Sequence, residues 1–303
     1  MRVLCTGGAG FLGAWLAKRL LATGHAVRIF DRSSDRRLVS DIVGAPSAAV
    51  EWRTGDVVQP AEVMAASEGC DAIAHLAALL TPACQADPIT GTNVNLIGTI
   101  NVFEAARHRK LRNVVYASSA GVFGPSDGVV PFPMTLYGVY KLACEGVGRA
   151  YAADYGVASV GFRPLTVYGP GREFGASAGP SIACRKAAEG EPYVIPFTGD
   201  TDMIFVDDVA AAFEAALLRP VSGARVFNLR GTVTSIDHVV AEIRRLVSSA
   251  KIAADGQVPP IAAELEPHDV EAVLGPLPKT ELVDGLRQTI AFYRRQSASR
   301  AKA

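Results

Sequence analysis

The stretch Thr6-Gly7-Gly8-Ala9-Gly10-Phe11-Leu12-Gly13 constrains this chain more than any other. It follows the apolar run Val3-Leu4-Cys5 and opens a segment, 11–22, whose apolar residues recur at helical spacing. A strand, a glycine turn and a helix in that order make a phosphate cradle. Glycine lets the backbone turn tightly and approach a pyrophosphate, and the helix N-terminus presents free N–H groups to it. The glycines alone carry little. Their place between a strand and a helix, with an acid at the end of the next strand, carries the reading.

The rest of the first half keeps the same rhythm. Short apolar runs at 2–5, 26–30, 50–53, 72–76, 113–117 and 157–162 predict strands. Helical spacing at 61–67, 93–107 and 137–155 fills the gaps. Such alternation predicts an α/β fold: a Rossmann-like, doubly wound parallel sheet covered on both faces. After Arg163 the texture loosens. Residues 168–200 are rich in Gly, Pro and Ser and poorly periodic. Further on, 206–218 reads as a helix, 225–229 as a strand, 235–249 as a helix capped by Thr234 or Ser235, 251–278 as irregular and 280–295 as a closing helix. The expected organisation is a dinucleotide-binding core over 1–165, rejoined by parts of 201–230. A smaller, looser substrate-binding lobe comes from 166–200 and 231–303. A Ser/Ala/Lys-rich end follows Gln296.

Bulk composition narrows the function classes. At 303 residues and 49% hydrophobic, the chain can bury a large core. Lys+Arg and Asp+Glu are 30 each, which argues against a broad nucleic-acid surface. Five dispersed cysteines without C-x-x-C spacing suggest reduced, buried thiols rather than disulfides or a metal site. No window approaches a membrane span, and the glycine run falls where the apolar core of a signal peptide would lie. The expectation is a cytoplasmic protein with no membrane, nucleic-acid or metal partner.

Three groups carry chemistry. Asp31 ends the second strand, where a carboxylate can bind both hydroxyls of an adenosine ribose and repel a 2′-phosphate. That favours NAD over NADP, although Arg32, Arg36 and Arg37 follow and an arginine can accommodate the extra phosphate. Tyr137 and Lys141 are four apart at the start of a helix, hence on one face. A phenol ionises near pH ~10 and a neighbouring ammonium stabilises its anion, so the pair is a general base for oxidation or an acid for reduction. Tyr140 is a rival phenol, but it points about 100° away around the helix. Ser118 and Ser119 lie at the carboxyl edge of a strand, where a doubly wound sheet binds ligands. A hydroxyl there can hold a substrate oxygen beside the tyrosine.

These elements, with others in a fixed order, resemble the extended short-chain dehydrogenase/reductase family, also called the NAD-dependent epimerase/dehydratase family. The set adds Gly55-Asp56-Val57, His75-Leu76-Ala77-Ala78, Asn95 before Gly98-Thr99, Ser118-Ser119-Ala120-Gly121, Arg163-Pro164, Val167-Tyr168-Gly169-Pro170-Gly171 and Val206-Asp207-Asp208-Val209-Ala210. The resemblance implies roles. Gly7, Gly10, Phe11 and Leu12 would hold the pyrophosphate of NAD, Asp31 the adenosine ribose, and Asp56 with Val57 the adenine. Leu76, Ala77 and Ala78 would pass the nicotinamide side, with Asn95 supporting it and Ser118 in the cofactor set. Lys141 would bind the nicotinamide ribose, Ser119 and Tyr137 would face substrate, and Pro164 and Val167 would flank the nicotinamide. A homodimer through helices 93–107 and 137–155 is also implied.

Departures from the family pattern narrow the chemistry. Dehydratases carry acids where this chain has Ala120 and Gly121, so water elimination lacks its proton donor. Thr166 stands where many nucleotide-sugar members carry Asn. The run before Val206 holds Asp200 and Asp202 and no Arg, where a diphosphate calls for arginine's fork. Arg172, Arg185 and Lys186 could substitute from the looser lobe. Tyr140 replaces the small residue usual before the lysine. The leading expectation is therefore an NAD-dependent oxidoreductase acting on a sugar, sugar acid or similar polyol without a nucleotide handle. The alternatives are a nucleotide-sugar epimerase with tightly held NAD, and a non-catalytic NAD-binding protein.

Overall fold

The computed structural model describes residues 1–300 apart from Ser126 and Pro220, and side chains as far as Ala298. Its strands are β1 (Arg2–Thr6), β2 (Ala26–Asp31), β3 (Glu51–Thr54), β4 (Ala72–His75), β5 (Val114–Ala117), β6 (Ser159–Arg163), β7 (Thr166–Tyr168), β8 (Tyr193–Ile195), β9 (Asp200–Phe205), β10 (Ala224–Asn228), β11 (Thr232–Ser235) and β12 (Ile252–Ala254). Seven of them form one sheet in the order β10-β6-β5-β4-β1-β2-β3, every neighbour parallel. Val3 faces Val27 on one side and Ala72 on the other. The winding reverses at β1, so a crevice opens beyond the carboxyl ends of β1 and its neighbours.

The central strands are continuous apolar runs because helices cover both their faces. Val3, Leu4 and Cys5 are wholly buried, as are Ala72, Ile73 and Ala74. On one face, helices Phe11–Ala22 and Val206–Leu218 pack together through Leu16, Leu20, Val209 and Phe213. Arg19 ties them, at 2.8 Å from Glu214 and 3.1 Å from Asp207. On the other face, helices Gly98–Arg109 and Leu136–Tyr155 cover Phe103, Tyr116 and Cys144.

The expected loose lobe is better built than its composition suggests. Strands β7, β9 and β11 make a three-stranded sheet, and β8 pairs with β12. Helix Gly179–Glu189 lies within the stretch read as aperiodic. Its Pro180 sits in the first turn, where a missing N–H costs nothing, so a proline that reads as a breaker here starts a helix. Pro82 and Pro88 likewise open helices Thr81–Ala86 and Pro88–Thr92, between the strand expected at 72–76 and the helix expected from 93. One apolar cluster runs unbroken from Val3 and Leu16 to Phe205, Ile243 and Leu286, so the C-terminal third shares the main core.

Smaller differences follow. The helix expected from residue 93 begins as a π-helical turn, Asn93–Ile97. The irregular stretch holds β12 and the short helix Val270–Leu274. Helix Ile236–Leu246 is capped by Ser235, which accepts from the His238 N–H. The last helix spans Leu282–Arg300, and residues 301–303 of the Ser/Ala/Lys end lie outside the described residues. No described helix is long and apolar enough to cross a membrane. All five cysteines are buried and unpaired.

Candidate active site

A cleft of about 1190 Å³ opens at the carboxyl edge of the sheet, on the crevice that the strand order dictates. Gly7, Gly10, Phe11 and Leu12 form its floor. Gly7 has φ +68°, and a Cβ there would come within 2.5 Å of the Ala77 nitrogen, so only glycine fits. Helix Phe11–Ala22 starts at Gly10 with no side-chain cap and no acid in its first turn. Its leading N–H groups are left for an anion, as a pyrophosphate cradle requires.

Asp31 lines the cleft at the end of β2. Its two carboxylate oxygens accept from the N–H groups of Ala9, at 3.0 Å, and Ser33, at 2.9 Å. The carboxylate is thus pinned to the glycine loop, with lone pairs left for ribose hydroxyls. The arginines beyond it are engaged. Arg37 holds Asp35 at 2.6 Å, Arg32 lies 3.8 Å from Asp56, and Arg36 stacks on Trp52. A 2′-phosphate would meet paired cations and a fixed carboxylate. The site fits NAD on these grounds.

Asp56, Val57, Leu76, Ala77, Ala78, Ser118, Pro164 and Val167 also line the cleft. Asn95 does not. It is buried behind the wall, where its side chain donates to the Leu79 carbonyl and accepts from the Leu79 N–H. It fixes the backbone that follows Ala78.

The reacting corner is built by three elements. Helix Leu136–Tyr155 starts beneath a Thr135 cap, which places Tyr137 in its first turn and Lys141 one turn on. Lys141 is 5% exposed, and its Nζ donates to the Ala117 carbonyl at the end of β5, 2.7 Å away. That ammonium stands 5.6 Å from the centre of the Tyr137 ring. Ser119 caps the short turn Ala120–Val122 and accepts from the Gly121 N–H at 3.0 Å, which leaves its own proton to donate. A Cβ at Gly121 would lie 3.2 Å from the Ser119 Oγ and 3.7 Å from the Tyr137 ring, so the two catalytic candidates flank this glycine. At Gly138 a Cβ would run into the Gly121 carbonyl oxygen. Two glycines thereby let the helix start close on the serine turn.

Tyr140 is turned elsewhere. It is buried, lies outside the cleft lining, and donates to the Pro88 carbonyl at 3.0 Å. Ser118 is also committed inward, donating to Glu145 at 2.6 Å. Glu145 is fully buried and grips Arg163 at 2.7 Å and 2.5 Å. This ion pair was not anticipated. The signal was present, because Glu145 lies four residues after Lys141 on the same buried helix face. The motif histidine, His75, bridges the hydroxyls of Thr6 and Thr99. Burial, with the Lys141 charge second, pushes its pKa down to about 3, so it is a neutral strut between strands and helix.

Of the three basic residues named as substitutes for the missing arginine, only Arg172 lines the cleft. Arg185 is paired with Glu173 and Lys186 with Glu189 and Glu191. Of the two expected acids, Asp200 lines the cleft and Asp202 does not. Asp202 is buried, one of its oxygens accepting from the Gly231 N–H at 2.7 Å.

Comparison with known proteins agrees with this geometry. The model of the NAD dependent epimerase/dehydratase family matches residues 3–229. A UDP-glucose 4-epimerase of Mycolicibacterium smegmatis is 32% identical over 316 aligned positions, covering 98% of this chain and 100% of that protein. Among solved structures, the Thermus thermophilus UDP-glucose 4-epimerase in complex with NAD superposes with a TM-score of 0.84 at 26% identity, over 97% of this chain and 99% of that one. MoeE5 in complex with UDP-glucose and NAD gives a TM-score of 0.84 at 28% identity, over 98% and 100%. The chain belongs to the NAD dependent epimerase/dehydratase family.

Proposed function

We propose that this enzyme transfers hydride between NAD and a secondary carbinol of a sugar, sugar acid or related polyol, with Tyr137 moving the proton. The observation that carries the reading is the meeting of Ser119, Tyr137 and Lys141 at one corner of the cleft whose floor is the glycine cradle. Bound NAD supplies a hydride acceptor and a positive ring. The Ser119 hydroxyl holds the substrate oxygen. Tyr137, held as the phenolate by the Lys141 ammonium that the Ala117 carbonyl fixes, takes the hydroxyl proton and becomes the neutral phenol. Ala120 and Gly121 offer no acid for water elimination, so the reaction stops at oxidoreduction.

The handle-free substrate rests on the charges around the cleft. Its cationic lining residues are Arg32, Arg37, Lys141 and Arg172. The first two are paired with Asp56 and Asp35, Lys141 lies beside Tyr137, and Arg172 stands by Phe11 at the glycine cradle rather than at the substrate end. Around Pro196, Phe197, Asp200, Thr201 and Pro259 the lining carries no cation. A diphosphate there finds no fork. The second reading, a nucleotide-sugar epimerase, is favoured by the full-length similarity to the M. smegmatis UDP-glucose 4-epimerase.

One assay separates the two. The protein is incubated with NAD and panels of free sugars, sugar acids and UDP-sugars, and both NADH and sugar epimers are measured. Net NADH from a free sugar or sugar acid supports the main reading. Interconversion of UDP-sugars without net NADH replaces it with the second. A cytoplasmic homodimer completes the proposal. Buried, unpaired cysteines suit a reducing compartment, and Ile97, Leu136 and Val139 stand exposed on the two helical segments expected at the dimer face.

A further inference from the structure

We propose that Arg172 clamps the pyrophosphate of the bound dinucleotide from above, opposite the glycine cradle, an assignment that rests on the NAD reading of the site. Three observations converge on it. The Arg172 guanidinium stands 5.6 Å from the ring centre of Phe11, the first residue of the cradle helix. Its Nε is buried and has no hydrogen-bond partner, while Nη2 donates to Ser177 at 3.0 Å. Among the described residues no carboxylate pairs with it, since the adjacent Glu173 is engaged 3.1 Å away by Arg185. A part-buried cation at the cleft wall with one enclosed N–H unpaired is only partly solvated, and an anion arriving in the cleft supplies the missing partner.

The backbone holds Arg172 rigidly over the cleft. Trp15, one turn into the cradle helix, donates to the Pro170 carbonyl at 3.0 Å. The Gly169 N–H donates to Ser181 and the Gly171 N–H to Tyr293, both at 3.0 Å. A Cβ at Gly171 would press on Leu38, and one at Gly175 on Leu80, so this segment crosses from one cleft wall to the other. Arg172 lies on that strap, tied to the very helix whose N–H groups face the anion. The two sets of donors then close on one ligand from opposite sides, with little ordering left to do at binding.

The same guanidinium could serve a phosphate of the substrate instead, and the test separates the two sources. Affinities for ADP-ribose, adenosine and UDP are measured by calorimetry on nucleotide-free protein, for the parent, Arg172→Met and Arg172→Lys. The expected result is a loss of about 10- to 100-fold in ADP-ribose affinity for Arg172→Met, with adenosine unchanged and Arg172→Lys in between. Thermal melting of ligand-free Arg172→Met should match or exceed the parent, because an uncompensated charge has gone. Equal ADP-ribose affinity in parent and Arg172→Met overturns the clamp alone. Loss confined to UDP overturns it and moves Arg172 to the substrate. A lowered melting temperature accompanying the binding loss also overturns it, since the residue is then structural. Failure of the parent to bind ADP-ribose overturns the NAD reading and the clamp together.

Discussion

Lys141 donates to the Ala117 carbonyl at 2.7 Å while its ammonium stands 5.6 Å from the Tyr137 ring centre. One strand end thus fixes the cation that stands beside the phenol. The helix supplies both side chains, but the β5 terminus decides where the charge sits.

Tyr137→Phe should lower turnover by two orders of magnitude or more, because the proton path is removed while the ring remains. Tyr140→Phe should leave turnover near the parent's and cost about 1 kcal/mol of stability through the lost Pro88 hydrogen bond. Steady-state kinetics and thermal melting of both variants check this. Full loss in Tyr140→Phe with activity kept in Tyr137→Phe would reverse the roles.

Lys141→Met should lower turnover by an order of magnitude or more and weaken NAD as well, since a charge beside the phenol and a donor at the cofactor side of the cleft are lost together. Weakened NAD with turnover kept at saturating cofactor would leave Lys141 as a binding residue only.

Asp31→Ala should weaken NAD by about 1–3 kcal/mol and relax discrimination against NADP, as charged hydrogen bonds and a repulsion are removed together. Titration with each cofactor reads the ratio. An unchanged NAD-to-NADP ratio would remove Asp31 from cofactor selection.

Gly138→Ala should destabilise the fold by about 1–3 kcal/mol, the reverse of the usual gain for alanine in a helix. The added methyl meets the Gly121 carbonyl and pushes Tyr137 from Ser119. Turnover should fall while ADP-ribose affinity holds. Increased stability with normal turnover would refute the close approach.

Asp202 governs a pH dependence of stability. Burial pushes its pKa up to about 6, against about 3.9 in the unfolded chain, and one of its oxygens has no partner. Between those values the folded state keeps a proton that the unfolded state has released. Stability therefore falls as pH rises through this window, by up to about 3 kcal/mol. The stability of Asp202→Asn relative to the parent should rise by a similar amount between about pH 4 and pH 7. Parallel denaturation curves across that range would rule the carboxylate out.

Much of the fold was legible because its signals are local. The apolar runs of β1, β4 and β6 mark strands buried on both faces, and the glycines after β1 mark the crossover where the winding begins. Tyr137 and Lys141 were legible as a pair because a helix converts a spacing of four into a shared face. The helices opening at Pro82, Pro88 and Pro180 were not legible, because a proline's effect depends on where a helix starts. The strands β7, β9 and β11 were hidden for a related reason. β7 and β11 are short, and all three pair with segments distant in sequence.

The sequence by itself determined the dinucleotide cradle, the family and the pairing of Tyr137 with Lys141 on one helix face, since strand, turn and helix spacing are properties of consecutive residues. Only the tertiary structure decided which polar groups face the cleft. It sent Ser118 to Glu145, Tyr140 to Pro88 and Asn95 behind the wall, and it left the Arg172 Nε without a partner among the described residues. Those outcomes turn on burial and on partners up to fifty residues or more away in the chain, and on the rule that an enclosed polar group must find one.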